Sequence, residues 1–185
     1  MATLTLAGLC GSLRAGSYNR MLMHEAARFL EPDDFVVGDP RLPLFDEDDE
    51  SVHGIPGAVQ SLAVTIARAD AVVIACPEYN KAPPGVLKNA LDWISRVEGN
   101  PWRDKPVALV SATGGRAGGE RTQFALRLMM VPFRPRLLQG PEVLVGGAKE
   151  HFDTDGRLVT ESYRKLLDAL MEALRTEAET RRLSG

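Results

Sequence analysis

The stretch Gly11–Arg20, GSLRAGSYNR, gathers the donors that a phosphate group needs. The hydroxyls of Ser12 and Ser17, the side-chain amide of Asn19 and the guanidinium of Arg14 can all donate hydrogen bonds to phosphate oxygens. The stretch lies between the apolar run Leu4, Leu6, Ala7, Leu9 and the helical pattern Leu22, Ala26, Phe29, Leu30, which makes it a strand-to-helix turn. Such a turn presents unpaired backbone N–H groups and the positive end of a helix dipole, and so favours an anion. Ser17 or Asn19 could equally serve as nothing more than a helix cap. Neither G-x-x-x-x-G-K-S/T nor G-x-G-x-x-G is present, so an ATP or GTP site of the usual kind is not expected.

Two further loops have unusual chemistry. In Pro77–Gly85, PEYNKAPPG, Tyr79 offers an aromatic face with a polar tip, Asn80 offers both donor and acceptor, and the prolines stiffen the path. The plainer alternative is a turn with Tyr79 on the surface and Asn80 in an Asx-turn. Farther on, glycines 114, 115, 118 and 119 would allow the backbone to approach a flat ligand closely. A phosphate held by the first loop and a ring held between the other two describe a mononucleotide.

The elements that must position these loops follow from the apolar pattern. Strands are expected over about Thr3–Cys10, at Phe35–Val37, Ala71–Cys76 and Val107–Val110, and at Leu144 and Val145. Helices are expected over Asn19–Leu30, around Val59–Ala67, over Val86–Val97, over Glu120–Val131 with Phe124, Leu128 and Val131 on one side, and along Tyr163–Leu174. Residues Pro40–Pro56 read as loop, with Asp46–Glu50 a solvated acidic surface and Leu42–Phe45 packing the loop on the domain. Alternating strands and helices predict a parallel sheet covered on both faces. Five such units suit the flavodoxin-like α/β fold, a three-layer arrangement with strand order 2-1-3-4-5. In it the loops that begin near Cys10, Cys76 and Ser111 all open at one edge of the sheet.

At 185 residues the chain reads as a single domain over 1–185, and 44% hydrophobic residues fit a globular protein. A net charge of −3 implies no attraction to nucleic acid or an anionic membrane. No apolar run reaches the length of a membrane span and no signal-peptide pattern opens the chain, so the expected location is cytoplasmic. Cys10 and Cys76 read as reduced, buried, unreactive thiols. His24, His53 and His151 show no ligand spacing, so no metal site is expected.

LCGSLRAGSYNR resembles the phosphate-binding signature G-S-L-R-x-x-S-x-N of the NADPH-dependent FMN reductase family, and PEYNKAPPGVLKNALDW resembles its second signature, P-E-Y-N-x-x-x-P-G-x-L-K-N-A-x-D-W. The family includes quinone, azo-dye and chromate reductases. The resemblance implies that Ser12, Arg14, Ser17, Tyr18 and Asn19 hold the FMN phosphate and that Pro77, Glu78, Tyr79 and Asn80 line the isoalloxazine ring. It further implies that Ser111, Ala112, Thr113, Gly114 and Gly115 close the site. The third loop departs from the family pattern: Ala112 stands where a hydroxyl residue often occurs, and Arg116 where an apolar residue is common. Hydride would pass from NADPH or NADH through flavin N5 to a quinone, azo dye, chromate or free flavin as small-molecule electron acceptor, with no catalytic side chain required. Arg116 could meet the extra phosphate of NADPH or simply face solvent, and Glu78 could be an acid or a structural group.

Helix 86–97 has one apolar stripe of Val86, Ala90, Trp93 and Val97 beside another of Leu87, Leu91 and Ile94. Such a face marks either a partner surface or deep burial within the chain. With the family resemblance it predicts a homodimer or homotetramer through this helix. A flavodoxin-type electron carrier and a flavin-binding regulatory protein with little turnover are the alternative functions. Arg14 in the loop and the small net charge favour a reductase.

Overall fold

A computed structural model describes residues 3–184. It contains β1 (Thr5–Cys10), α1 (Tyr18–Leu30), β2 (Asp34–Gly38), α2 (Glu47–His53), α3 (Gly57–Arg68) and β3 (Ala71–Ala75). There follow α4 (Gly85–Ser95), β4 (Pro106–Ala112), α5 (Glu120–Met130), β5 (Arg136–Leu137), β6 (Val143–Val145) and α6 (Glu161–Ser184). The sheet is parallel in the expected order, β2-β1-β3-β4-β5, with β6 also paired to β4.

The two-residue period of the central strands builds a core on each face. Leu6 and Cys10, Ala71, Val73 and Ala75, and Ala108, Val110 and Ala112 point toward α1 and α6. Ala7 and Leu9, Val72, Ile74 and Cys76, and Val107 and Leu109 point toward α3, α4 and α5. Every residue of β3 and β4 is buried, which is why both read as unbroken apolar runs. The two cysteines therefore lie on opposite faces of the sheet.

Four expectations need correction. The fifth strand position is split: Arg136 and Leu137 pair with Pro106 and Val107, while Val143–Val145 pair with Val110–Ala112. The first piece is too short, and too close to Pro132 and Pro135, to show a period. Residues 40–56 are not all loop. Asp46 caps α2 by accepting from the N–H groups of Asp48 and Asp49, and four acidic residues in the first turn complement the helix dipole. No residue of α2 is buried, as expected for a solvated acidic surface.

The expected partner face on helix 86–97 is covered inside the chain. Leu87, Ala90, Leu91, Trp93 and Ile94 are all buried in α4. Part of the cover is the Leu42–Phe45 segment: Phe45 meets Trp93 edge-on at 5.0 Å, and the carbonyl of Pro43 accepts from Trp93 Nε1 and Asn89 Nδ2, each at 2.8 Å. Leu42 and Phe45 pack on the core, while Leu44 is 85% exposed. The reverse holds in α5. Phe124 and Leu128, with Val131 just past the helix end, face solvent, and the inward face carries Thr122, Gln123, Leu126 and Met130.

The amino ends of the strands are closed by charge. Asp70 accepts from Thr5 N–H and is paired with Arg182, which ties the last turns of α6 to β1 and β3. Lys105 is almost wholly buried and donates from Nζ to the carbonyls of Ala67 and Ala69, the orphaned end of α3. Burial lowers its pKa from 10.5 to about 8, with Arg181 adding to the effect and Asp70 opposing it. Lys105→Met is expected to cost about 1–3 kcal/mol by orphaning those carbonyls. Between pH of about 8 and 10.5 the unfolded chain binds more protons at Lys105 than the folded one, so wild-type stability rises with pH there. The Met variant has no such rise, so the gap in urea midpoints should widen from pH ~7.5 to ~9.5.

Candidate functional site

The register of the sheet brings the three loops together. Cys10 lies opposite Ala75 and Ala75 opposite Val110, so β1, β3 and β4 end side by side. The ladder continues one step beyond the strands, with Gly11 N–H donating to Ala75 O at 2.9 Å and Cys76 N–H to Val110 O at 3.0 Å.

At the first loop Ser17 caps α1, its hydroxyl accepting from Arg20 N–H at 3.4 Å. The N–H groups of Tyr18 and Asn19 at the first turn have no intrahelical partner and remain available to an anion. Leu13, Arg14, Ala15 and Gly16 are exposed beside them. Arg20 Nε, one turn along, is buried without a hydrogen-bond partner. Asn19 does not offer its side chain to a ligand in the way the sequence suggests. Its Nδ2 donates to Ala112 O at 2.7 Å and its Oδ1 accepts from Ala112 N–H at 3.0 Å, so it locks the start of α1 to the end of β4.

The second loop is a tight hairpin. Tyr79 and Ala82 exchange both backbone bonds, at 2.9 and 3.1 Å, around Asn80 and Lys81, which have φ of 51° and 67°. Two consecutive left-handed residues make a type I′ turn, at which Asn is favoured. Asn80 therefore shapes the loop through its backbone and not through an Asx-turn, and the amides of Asn80 and Lys81 stay outside the pairing. Tyr79 is 47% exposed, and its hydroxyl lies 3.4 Å from Ser12 Oγ, joining this loop to the first. Pro77 is buried and its carbonyl accepts from Thr122 Oγ1 at 3.2 Å. Glu78 approaches Arg121 at 3.8 Å through Oε1, while its buried Oε2 has no hydrogen-bond partner.

The third loop divides into scaffold and face. Ser111 is wholly buried, donates to Gly118 O at 2.6 Å and accepts from Gln123 Nε2 at 3.2 Å. Ala112 has both backbone groups taken by Asn19. These two residues thus use the Ser111 hydroxyl and the Ala112 backbone to position the loop. Gly118 and Gly119 are scaffold as well. A Cβ on Gly118 would meet the Leu144 carbonyl at 2.5 Å and one on Gly119 would meet Ser111 at 2.8 Å, and both residues have positive φ. Thr113, Gly114 and Gly115 remain at the rim, and a Cβ on Gly114 would meet nothing within 4 Å.

The sequence reading missed what supports this loop. Thr113 N–H donates to Val145 O, Gly147 N–H to Gly115 O and Ala148 N–H to Thr113 O, at 2.9, 3.2 and 3.0 Å. Gly146 packs so closely that a Cβ would lie 2.4 Å from Arg116 O. The Gly146-Gly147 pair after an apolar triplet was the available signal. Thr122 and Gln123 gave no such signal, because the spacing of Phe124, Leu128 and Val131 puts the apolar side of the helix elsewhere.

The thiols behave as expected. Burial pushes the Cys76 pKa up to about 12 against a moderating bond from Thr122, and burial also raises that of Cys10. Neither provides a thiolate near neutral pH. Among the described residues no group of three or more His, Cys, Asp or Glu could hold a metal ion.

The arrangement therefore offers an anion cradle with a cationic side chain at one end, and a phenol, free backbone amides and an open glycine face at the other. A phosphorylated planar ring system fits that donor set, and FMN is such a molecule.

Residues 4–150 match the NADPH-dependent FMN reductase family. The chain is 39% identical over 180 residues to an NAD(P)H-dependent FMN reductase of Pseudomonas aeruginosa, covering 96% of each. It is 38% identical over 183 residues to an NAD(P)H:quinone oxidoreductase of Solanum tuberosum, covering 95% of this chain and 93% of that one. A flavoenzyme NAD(P)H:(acceptor) oxidoreductase of Paracoccus denitrificans superposes with a TM-score of 0.85 at 30% identity, over 96% of this chain and 98% of the other.

The glycine assignments can be separated by stability alone. Gly118→Ala is expected to lower stability by about 1–3 kcal/mol through strain and a backbone clash, whereas Gly114→Ala should leave it within ~0.5 kcal/mol. Thermal unfolding of the two variants reads the difference.

Proposed function

Because the chain belongs to the NADPH-dependent FMN reductase family, we propose that its three carboxyl-end loops are the FMN site of a single-domain NAD(P)H-dependent reductase. The observation that carries this reading is the free first turn of α1, flanked by exposed Arg14, on the same edge as Tyr79 and the open face of Gly114.

In this reading the amides of Tyr18 and Asn19, the hydroxyls of Ser12 and Ser17 and the guanidinium of Arg14 bind the phosphate. The hairpin at Pro77–Asn80 and the rim Thr113–Gly115 line the ring, with Tyr79 able to pack its aromatic face and the amides of Asn80 and Gly115 able to donate to ring oxygens. When bound, FMN supplies hydride chemistry at N5, accepting from NADPH or NADH and delivering to a quinone or similar acceptor. The chain's part is to bind, orient and stabilise negative charge with fixed amide dipoles. Ser111, Ala112 and the side chain of Asn19 act one step behind, by holding the loops. Protons come from solvent at this open edge, so no buried acid is needed.

Arg14 favours an enzyme over an electron carrier, since a charged donor grips a phosphate dianion more strongly than hydroxyls alone. Cytoplasmic location is part of the same reading, with two protonated buried thiols in its support. Among the described residues no helix is long and apolar enough to cross a membrane. Self-association is also part of it, with a second copy as the occupant of the outward ridge formed by Phe124 and Leu128 on α5 and Val131 just after it, in place of the buried stripes of α4. Large exposed apolar side chains aligned on the helix that carries the third loop support that placement.

Three measurements test these assignments. An anaerobic visible spectrum of the FMN-loaded protein should bleach with NADPH or NADH and return with a quinone. Binding without bleaching would instead identify a carrier or regulatory protein. Arg14→Ala should weaken FMN about 10- to 100-fold, the value of one charge-assisted hydrogen bond, and unchanged affinity would remove Arg14 from the cradle. Leu128→Glu should shift sedimentation toward the monomer, whereas an unaltered profile would move the interface elsewhere.

A further inference from the structure

Just beyond residue 150, where the family match ends, the chain forms a small hairpin that packs on α1, and the residues leading into it, Gly147 and Ala148, bond to the third loop. Phe152 and Leu158 bridge antiparallel, and the Asp153 carboxylate accepts from the N–H groups of Asp155 and Arg157. The hairpin lies along one face of α1, on Tyr18, Met21 and Glu25, which share that face by their spacing. Phe152 stacks on Tyr18 with ring centroids 5.6 Å apart, and Gly156 comes so close that a Cβ would meet Met21 Cγ at 3.1 Å. Leu158 N–H donates to Glu25 Oε2 at 3.0 Å.

Glu25 is an unusual residue to find there. It is 2% exposed, its Oε1 paired with Arg28 and lying 3.7 Å from Arg157. Burying a carboxylate for stability alone gains little, since apolar replacements of buried ion pairs are often neutral. The other side of the same segment grips the third loop, through Gly147 N–H to Gly115 O and Ala148 N–H to Thr113 O. His151 links the two sides, its N–H donating to Ala148 O and its Nδ1 lying 2.7 Å from Thr160 Oγ1. Thus one segment is fastened to the phosphate turn by Tyr18 and to the ring-side rim by Thr113 and Gly115.

We propose that the hairpin 152–158, latched by Glu25 and stacked on Tyr18, is a positioning element that, together with the Asn19–Ala112 bonds, sets the span between the phosphate cradle and the ring-side loop. The proposal rests on the FMN reading. A ligand held at two ends gains from the second contact only when the spacing of the two half-sites matches its own. Loosening the span therefore weakens a ligand that needs both ends, and spares one that uses a single end. Glu25 and Phe152 touch no ligand themselves.

The test compares FMN with riboflavin, which has the ring but no phosphate, by fluorescence titration of the full-length protein and its variants. Glu25→Gln and Phe152→Ala should each weaken FMN about tenfold, equivalent to ~1.4 kcal/mol, while riboflavin affinity changes less than about twofold. Phe152→Tyr, which keeps the ring stack, should restore FMN affinity. Equal weakening of FMN and riboflavin, or unchanged FMN affinity in folded variants, would overturn the proposal and leave the hairpin a purely structural piece. Where Phe152→Ala fails to fold, Phe152→Leu keeps the volume without the stack and is read in the same way. Absence of FMN binding by the unmutated protein would sink the FMN reading itself, a result distinct from any variant effect.

Discussion

The reciprocal bonds between the Asn19 side chain and the backbone of Ala112 are the constraint on which the site depends. They join the first turn of α1 to the end of β4, across 93 residues of sequence, and they are buried on both sides. In a low-dielectric interior such a pair has little freedom to exchange with water, and breaking it leaves two backbone groups and an amide unpaired. The unpaired amides at the first turn of α1 and the rim just after Ala112 are thereby tied together at this point, and the segment 147–158 adds a second tie through Tyr18, Thr113 and Gly115. A ligand that spans both meets a preformed site, which lowers the ordering cost of binding.

The same logic explains the inward face of α5. A helix covering a sheet normally presents aliphatic side chains, and α5 instead buries Thr122 and Gln123. Thr122 bonds to the Pro77 carbonyl and the Cys76 sulfur, and Gln123 bonds to Ser111 and the Val143 carbonyl. These are the groups left over where strands stop and loops begin, and a buried carbonyl without a partner is costly. With those polar residues turned inward, Phe124, Leu128 and Val131 have nowhere to go but out. Their pattern resembles a core stripe in sequence, and only the bonding needs of the adjacent loops reverse it.

Much of this was legible in the sequence because the loops differ chemically from connectors. Long apolar runs ending at Cys10, Cys76 and Val110 located the strand ends to within two residues, and the types of residue that follow marked the edge at which they open. The glycines were not legible in the same way. Gly114 and Gly118 are four residues apart in one cluster, yet the first faces open space and the second backs onto the Leu144 carbonyl. Ser111 likewise resembled a ligand donor, and its hydroxyl is spent on Gly118 O. Which member of a cluster faces a ligand depends on where distant segments pass, and Gly146–Ala148 lies some thirty residues farther along the chain. The depth of α4 was hidden for a similar reason, since its cover comes from Leu42–Phe45, a segment with no periodic pattern of its own.

The two edges of the sheet also divide the energetic work. At the amino edge several charged groups are matched, Asp70 with Arg182 and Thr5 and Lys105 with the end of α3, while Asn100 Oδ1 and Trp102 Nε1 are buried there without partners. Removing a partner there exposes a buried group, so that edge resists change. At the carboxyl edge the reverse holds, with the amides of the α1 first turn, the tip of the 79–82 hairpin and Glu78 Oε2 lacking partners of their own. Groups of that kind are left to solvent or to a ligand, and a ligand that binds them only in the folded chain adds to its stability. Bonds that fix the loops to one another, as between Asn19 and Ala112, are what let the carboxyl edge keep its shape with those groups open.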